Sequence, residues 1–265
     1  MTNWKSLLAS VALALAAFAS STQSLANNYQ DLWWNPNESG WGINISQQGD
    51  VMFATWFIYG ADNQPTWIFL SRADRSGATG NTFSGDIFRA TGTPFAVVPF
   101  IPANTAATKV GTATLVFSDS RTGTLTYTVN GAQVVKQITR QVIGLYNLTG
   151  SYFGALKRAG VGCVNAALNG DATNPAIYSV SHSIATGSLT ITEVGGSLCN
   201  FTGTTSVFGS LIEGSGNFTC AAENITGSWT MREGRPGPNA FSALMSLRPN
   251  GDSCTLSATI GGLKP

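Results

Sequence analysis

LWWNPNESGWGINISQQGDVMFATWFIYG, residues 32–60, carries Trp33, Trp34, Trp41 and Trp56 among Gly, Asn and Gln. Within it Trp41, Ile43 and Ile45 alternate with Gly42, Asn44 and Ser46, the period of a strand with one apolar face. Gln48-Gly49-Asp50 then turns the chain into a second apolar run, Val51–Tyr59. Gly60-Ala61-Asp62-Asn63-Gln64-Pro65 turns it again, into Thr66–Leu70. A chain that reverses direction after each short strand is building an antiparallel meander.

The same pattern continues outward from this stretch. Strands are expected at Thr82–Arg89, Gly111–Ser118, Gly123–Val129 and Gln133–Arg140, with turns at Asp119–Thr122 and Asn130-Gly131. Asn-Gly is a strong hairpin signal because both residues tolerate positive φ. About seven such strands fit a small up-and-down barrel of the calycin or avidin kind, or a sandwich; closure removes exposed edges. The interruption from Gly92 to Lys109 contains Pro94, Pro99 and Pro102, so it reads as a crossing loop. Its Phe95, Val97, Val98, Phe100 and Ile101 are too apolar for a solvated loop and are expected to lie over the barrel.

A second set of strands begins near Gly150 and runs to about Ile260, with Asn169–Asn174 and Arg235–Asn239 as expected loops. Short echoes occur within it: Asn147-Leu148-Thr149-Gly150-Ser151-Tyr152 against Asn224-Ile225-Thr226-Gly227-Ser228-Trp229, and Asn200-Phe201-Thr202 against Asn217-Phe218-Thr219. The division expected is residues 1–26 as a signal peptide, 27–145 as an aromatic-rich β-barrel domain and 146–265 as a cysteine-containing β domain. The signal reading rests on Lys5, the apolar stretch Leu7 to Phe18 and Ser24-Leu25-Ala26, with small residues at the cleavage positions. That apolar stretch is shorter than the roughly 20 residues of a spanning helix. No later run is long enough to span either, so an extracytoplasmic product without a transmembrane segment is expected.

Without Lys5 the basic and acidic side chains balance at thirteen each, and no basic run exists. This argues against nucleic acid or anionic lipid as a partner, because phosphate binding draws on grouped Lys and Arg. The four cysteines, Cys163, Cys199, Cys220 and Cys254, all lie in the second half, an even count that reads as two disulfides in an exported chain. The pairing preferred from sequence order is Cys163–Cys199 with Cys220–Cys254. Zinc is disfavoured, since no pair has C-x-x-C spacing and His182 is the only histidine. Phosphate loops, dinucleotide fingerprints and EF-hand loops are absent from the sequence, so no cofactor and no metal are expected.

Five of the six tryptophans beyond the signal segment fall within residues 33–67. Such a cluster can fill a barrel or form a platform. In the second reading Trp33 and Trp34, before Asn35-Pro36-Asn37, stand at a barrel mouth, where indoles stack on the C–H faces of a sugar while amides and carboxylates take its hydroxyls. The candidate ligand-binding set is Trp33, Trp34, Asn35, Glu38, Trp41, Asn44, Trp56 and Trp67, for a saccharide or a small apolar molecule, without catalysis. Two rivals remain. A hydrolase would use Glu38 and a second carboxylate such as Asp50. An envelope module would bind a protein through the tryptophan region, and would then show an exposed aromatic patch in place of an enclosed pocket.

The run Trp33-Trp34-Asn35-Pro36, Glu38-Ser39-Gly40-Trp41-Gly42, Gln48-Gly49-Asp50, Phe53-Ala54-Thr55-Trp56-Phe57 and Pro65-x-Trp67 resembles a recurrent module of exported bacterial proteins of uncharacterised function. Val110–Leu115, Tyr127–Gly131 and Ile138-Thr139-Arg140 extend the resemblance over about residues 30–141. It implies export and an appended β domain, and it brings no established activity.

Overall fold

The computed structural model describes residues 27–77 and 80–265; the expected signal peptide lies outside them. The chain forms two closed antiparallel barrels of eight strands each. The first comprises β1 (Asp31–Trp34), β2 (Gly42–Gln48), β3 (Val51–Tyr59), β4 (Pro65–Arg75), β5 (Thr82–Thr91), β6 (Ala106–Phe117), β7 (Thr122–Val129) and β8 (Ala132–Arg140). The second comprises β9 (Gly150–Gly160), β10 (Gly170–His182), β11 (Ser188–Val194), β12 (Cys199–Phe208), β13 (Leu211–Cys220), β14 (Ile225–Pro236), β15 (Ala240–Pro249) and β16 (Leu256–Leu263). Barrel, not sandwich, is the architecture. Each closes by pairing its first strand with its last, β1 with β8 and β9 with β16.

Several expected boundaries shift for one reason: cross-strand pairing extends polar segments that read as loops. Trp33 and Trp34 are strand, because Trp33 pairs with both Ile43 and Arg140 and so closes the first barrel. The interval Asn169–Asn174 is largely strand, since Gly170–Asn174 pair with Leu156–Gly160. Arg235 and Pro236 pair with Ser242 and Phe241. The Gly92–Lys109 segment is shorter as a loop than expected, because β5 and β6 continue as a ribbon to Thr91 and Ala106. Its apolar residues do not cover the barrel. Phe95 is 99% exposed and Val98 89% exposed, in the loop that joins β5 to β6.

Alternation sets the cores. In the first barrel Tyr29, Trp33, Ile43, Ile45, Trp56, Phe83 and Phe117 are closed to solvent. The Tyr29 ring stacks on Phe117 at 3.8 Å, and Trp33 packs against the same ring at 4.9 Å. In the second barrel Trp229 lies where Gly203 and Gly216 face each other across β12 and β13. A Cβ on Gly203 would come within 2.7 Å of the indole, so the glycines make room for the ring. The Trp229 Nε1–H donates to the carbonyls of Thr202 and Asn217 at 3.2 and 3.1 Å. The echoed Asn-Phe-Thr triplets are register partners, with Phe201 opposite Phe218.

The disulfides are Cys163–Cys254 and Cys199–Cys220, which corrects the pairing preferred from sequence order. Order along the chain ignores register. Cys199 and Cys220 are cross-strand partners at the joined ends of β12 and β13. Cys163 follows β9 and Cys254 precedes β16, two strands that are neighbours only through barrel closure. Both barrels have apolar interiors, and the outward positions of the first include Asn44, Ser46, Arg72, Asp74 and Ser84. A filled apolar interior differs from the water-filled lumen of a large lipid-spanning barrel. Among the described residues no helix is long and apolar enough to cross a membrane.

The two barrels touch through the end of the first that carries Asp31, Ser120 and Arg140. Asp31 Oδ2 accepts from the backbone N–H and the hydroxyl of Ser210 at 2.9 and 2.8 Å, and the Ser120 hydroxyl donates to Glu213. The opposite end carries the Asn35–Gly40 turn, the Gly60–Gln64 turn, Asn130-Gly131 and the β5–β6 loop, as the strand directions require.

Candidate functional site

The eight residues proposed as one site are divided by the barrel wall. Trp33 is 0% exposed; its Nε1–H donates to the Tyr29 carbonyl at 2.9 Å and its ring underlies the Arg140 guanidinium at 4.9 Å. Trp56 is equally closed to solvent. These two are core, and neither can meet a ligand without opening the barrel. Pattern alone could not assign them, since Trp56 and Phe57 put apolar side chains on both faces of β3.

A second group lies at the turn end. The Asn35 side-chain oxygen accepts from the Asn37 N–H at 2.9 Å and its carbonyl from the Glu38 N–H at 3.0 Å, so Asn35 shapes the turn. Glu38 Oε2 takes hydrogen bonds from the Trp41 Nε1–H at 3.0 Å and the Lys136 ammonium at 2.6 Å. Lys136 also stands 5.7 Å from the centre of the Trp41 ring. The Lys136 hydrogen bond holds the Glu38 carboxyl below its ordinary range. A carboxylate kept ionised in this way is a poor proton donor. Asp50 lies past the far end of β2, where it pairs with Arg75 at 2.7 Å. The two acids proposed for a hydrolase are therefore separated by the length of a strand, and Trp41–Glu38–Lys136 ties the turn between β1 and β2 to β8. Trp34 is half-buried beside Thr139 on β8.

The third group is the outer wall of β2 to β5. Asn44 and Trp67 are exposed there. Register places Phe57 opposite Trp67, Thr55 opposite Phe69, and Phe69 opposite Phe88. Outward residues on neighbouring strands thus form rows across the sheet. Ring centres are 6.2 Å apart for Phe53–Phe69, 5.6 Å for Trp67–Phe69 and 5.7 Å for Phe69–Phe88. Phe53, Phe57, Tyr59 and Trp67 are each more than two-fifths exposed, with Phe69 half-buried among them. A continuous aromatic face on the outside of a small barrel leaves a large apolar area in water. Reasoning from sequence missed Phe53, Phe57, Phe69 and Phe88 as site residues. The available signal was that each lies one position, or an odd number, from an inward residue of its strand.

The cavities point elsewhere and are small or open. Beneath Phe201 and Phe218 the second barrel leaves about 30 Å³, the room of one water molecule. A shallow groove crosses Phe153, Gly154, Phe241 and Leu263 on its outside. His182, the only histidine, is buried. Its Nδ1 lies 3.3 Å from the Leu148 N–H and its Nε2 3.0 Å from Thr205 Oγ1, which in turn donates to the Gly187 carbonyl. Those partners assign the neutral tautomer with the proton on Nε2, and burial lowers the ring's pKa. The histidine is structural. Cys163, Cys254 and Asp252 cluster, but both sulfurs are in the disulfide and Asp252 accepts from the Val164 and Asn165 N–H groups, which leaves no thiolate for a metal.

No protein-family model and no curated protein matches the chain. Among solved structures, a transferrin binding protein B double mutant from Haemophilus parasuis Hp5 is similar at 8% identity, with 84% of this chain and 60% of that one covered and a TM-score of 0.36. This chain therefore spans less than two thirds of that protein. A candidate outer membrane protein of Bacteroides fragilis NCTC 9343 is similar at 13% identity over 91% of this chain and 98% of its own, with a TM-score of 0.32.

Proposed function

We propose that this chain is an exported, non-catalytic binding protein of the cell envelope that engages another protein through the outer aromatic face of its first barrel. The observation that carries the reading is the row Phe53, Phe57, Trp67, Phe69 and Phe88, held outward by register while the barrel interior is filled. Exposed contiguous aromatic surface on a folded domain marks an interaction site, and aromatic residues are enriched where proteins meet. Export is supported by the amino-terminal apolar segment and by two disulfides, which persist in oxidising compartments.

A saccharide is the weaker occupant. Rings in the face pack on one another; the polar side chains in register with them are Asn44, Ser46, Thr55 and, opposite Phe88, Lys109, whose ammonium already pairs with the Asp86 carboxylate at 2.8 Å. A small apolar guest inside the first barrel would have to displace Trp33, Trp56 and Phe117. Trp67 is the most exposed tryptophan among the described residues, so a change in its emission reports on the face. The test is a fluorescence titration of the protein and of a Trp67→Phe variant with envelope protein fractions and with a glycan panel. The expected result is a saturable blue shift with a protein fraction that the variant lacks. A saturable shift with glycans alone would replace the protein partner by a sugar.

A further inference from the structure

A separate surface lies at the tip of the β5–β6 hairpin. From Ala90 to Thr108 the sequence contains no ionisable side chain, and charge resumes at Arg89 and Lys109 at the root. Phe95, Val97, Val98, Phe100 and Ile101 are all exposed, on the loop at the end of the first barrel away from the second. Lys109 pairs with Asp86 at 2.8 Å, and Arg89 makes no ion pair among the described residues.

The loop is held in shape from within. Thr93 is buried; its hydroxyl donates to the Ile101 carbonyl at 2.8 Å and accepts from the Ile101 N–H and the Asn104 amide at 3.3 Å. The Val97 N–H returns to the Pro94 carbonyl at 2.9 Å. Pro94, Pro99 and Pro102 carry no N–H. Five of the nine residues from Pro94 to Pro102 therefore have no backbone donor left to satisfy, which lowers the cost of leaving water.

We infer that this tip inserts into the interfacial region of a lipid bilayer. An exposed, uncharged, apolar end that grades into charged residues at its root matches the change from acyl chains to headgroups across a membrane surface. Insertion is driven by apolar burial and not by attraction to anionic headgroups, in keeping with the balanced net charge. It anchors the first barrel tip-down and brings the aromatic face beside whatever else the membrane holds.

The test is flotation of the mature protein with phosphatidylcholine vesicles and with phosphatidylethanolamine–phosphatidylglycerol vesicles, at low and high salt. The expected result is flotation with both, little changed by salt, and reduced about tenfold or more by Phe95→Asp or Val98→Asp. Phe95→Ser, with unfolding midpoints measured for every variant, separates loss of insertion from loss of fold. Wild-type protein that stays at the bottom with both compositions overturns the inference, as does undiminished flotation of the variants. Flotation with anionic vesicles alone, abolished by salt, would assign the contact to charge and overturn it too. A concentration-dependent dimer that Phe95→Asp abolishes, without vesicle binding, would make a second copy the occupant. Because none of these variants touches the aromatic face, the envelope-protein titration succeeds or fails independently.

Discussion

Trp56 and Trp67 lie on adjacent strands, paired with Ile68 and Phe57 respectively, and their indoles stand on opposite sides of the barrel wall. One is a wedge in the core and the other is a ring in solvent. Residues that the sequence presents as one cluster thus belong to two physical environments, and substitutions should separate them cleanly.

Trp33→Phe and Trp56→Phe remove packed volume from a closed interior and should each cost on the order of 1–3 kcal/mol. Trp67→Ser and Phe57→Ser take apolar atoms out of water and should change stability by less than about 1 kcal/mol. Urea unfolding of the four variants checks this. Equal losses for the inner and outer pairs would contradict the assignment of faces.

Asp31 and Arg140 hold the junction of the barrels. The Arg140 side chain is 0% exposed, donates to Asp31 at 2.8 Å and donates to the carbonyls of Asn28, Gln30 and Ser120. Burial lowers the guanidinium's pKa and the Asp31 charge opposes that. Asp31→Ala leaves a buried cation without its counter-ion, and Ser210 without its acceptor, so a loss of about 3–5 kcal/mol is expected. The pair Asp31→Ala with Arg140→Leu should cost less than the sum of the single changes, measured as a double-mutant cycle.

The second barrel carries two opposed pH responses. His182 has its pKa lowered by burial from 6.5, so between its folded value and 6.5 the unfolded chain holds the extra proton and stability falls as pH drops through that window. Glu193, opposite Tyr178 in register and 5% exposed, has its pKa raised from 4.5, chiefly by burial, although its Oε2 accepts from the Cys199 N–H. Here the folded chain holds the extra proton. The associated stability is complete below 4.5 and is lost as pH rises through the folded value. Glu193→Gln should therefore stabilise the protein at pH 7 by on the order of 1 kcal/mol and flatten the loss on that side. His182→Gln should flatten the acid side. Unfolding free energies from pH 4 to 8 test both signs.

Of the disulfides, Cys163–Cys254 closes 91 residues and Cys199–Cys220 closes 21. Loop-closure entropy assigns them about 4.6 and 3.3 kcal/mol respectively. Replacing each pair by serine should cost the 91-residue link roughly 1 kcal/mol more, read from denaturant midpoints under non-reducing conditions. The reverse order would show that the effect is not set by chain entropy.

Alternation made most of the fold readable. Trp41-Ile43-Ile45, the Gln48-Gly49-Asp50 turn and Asn130-Gly131 announce an antiparallel meander. Closure was less visible, because β1 is four residues long and its two tryptophans precede Asn-Pro, which reads as a loop. The sign of a strand face fails where both faces are apolar, as at Trp56-Phe57. Disulfide partners depend on which strands close the barrel, and local spacing does not record that. The Pro94–Pro102 tip misled in the other direction. Apolar composition implies burial, and here the tip is not buried against this chain.

The central claim, that binding occurs on the outer aromatic face, is tested most directly by photo-crosslinking in the producing cell. A photoreactive phenylalanine analogue is placed at Phe57 and, as a control, at Phe153 on the second barrel, and the adducts are resolved by mass. The account predicts one discrete protein adduct from position 57, lost when Phe53 and Trp67 are both changed to Ser. No adduct from position 57, or the same adducts from both positions, would contradict it.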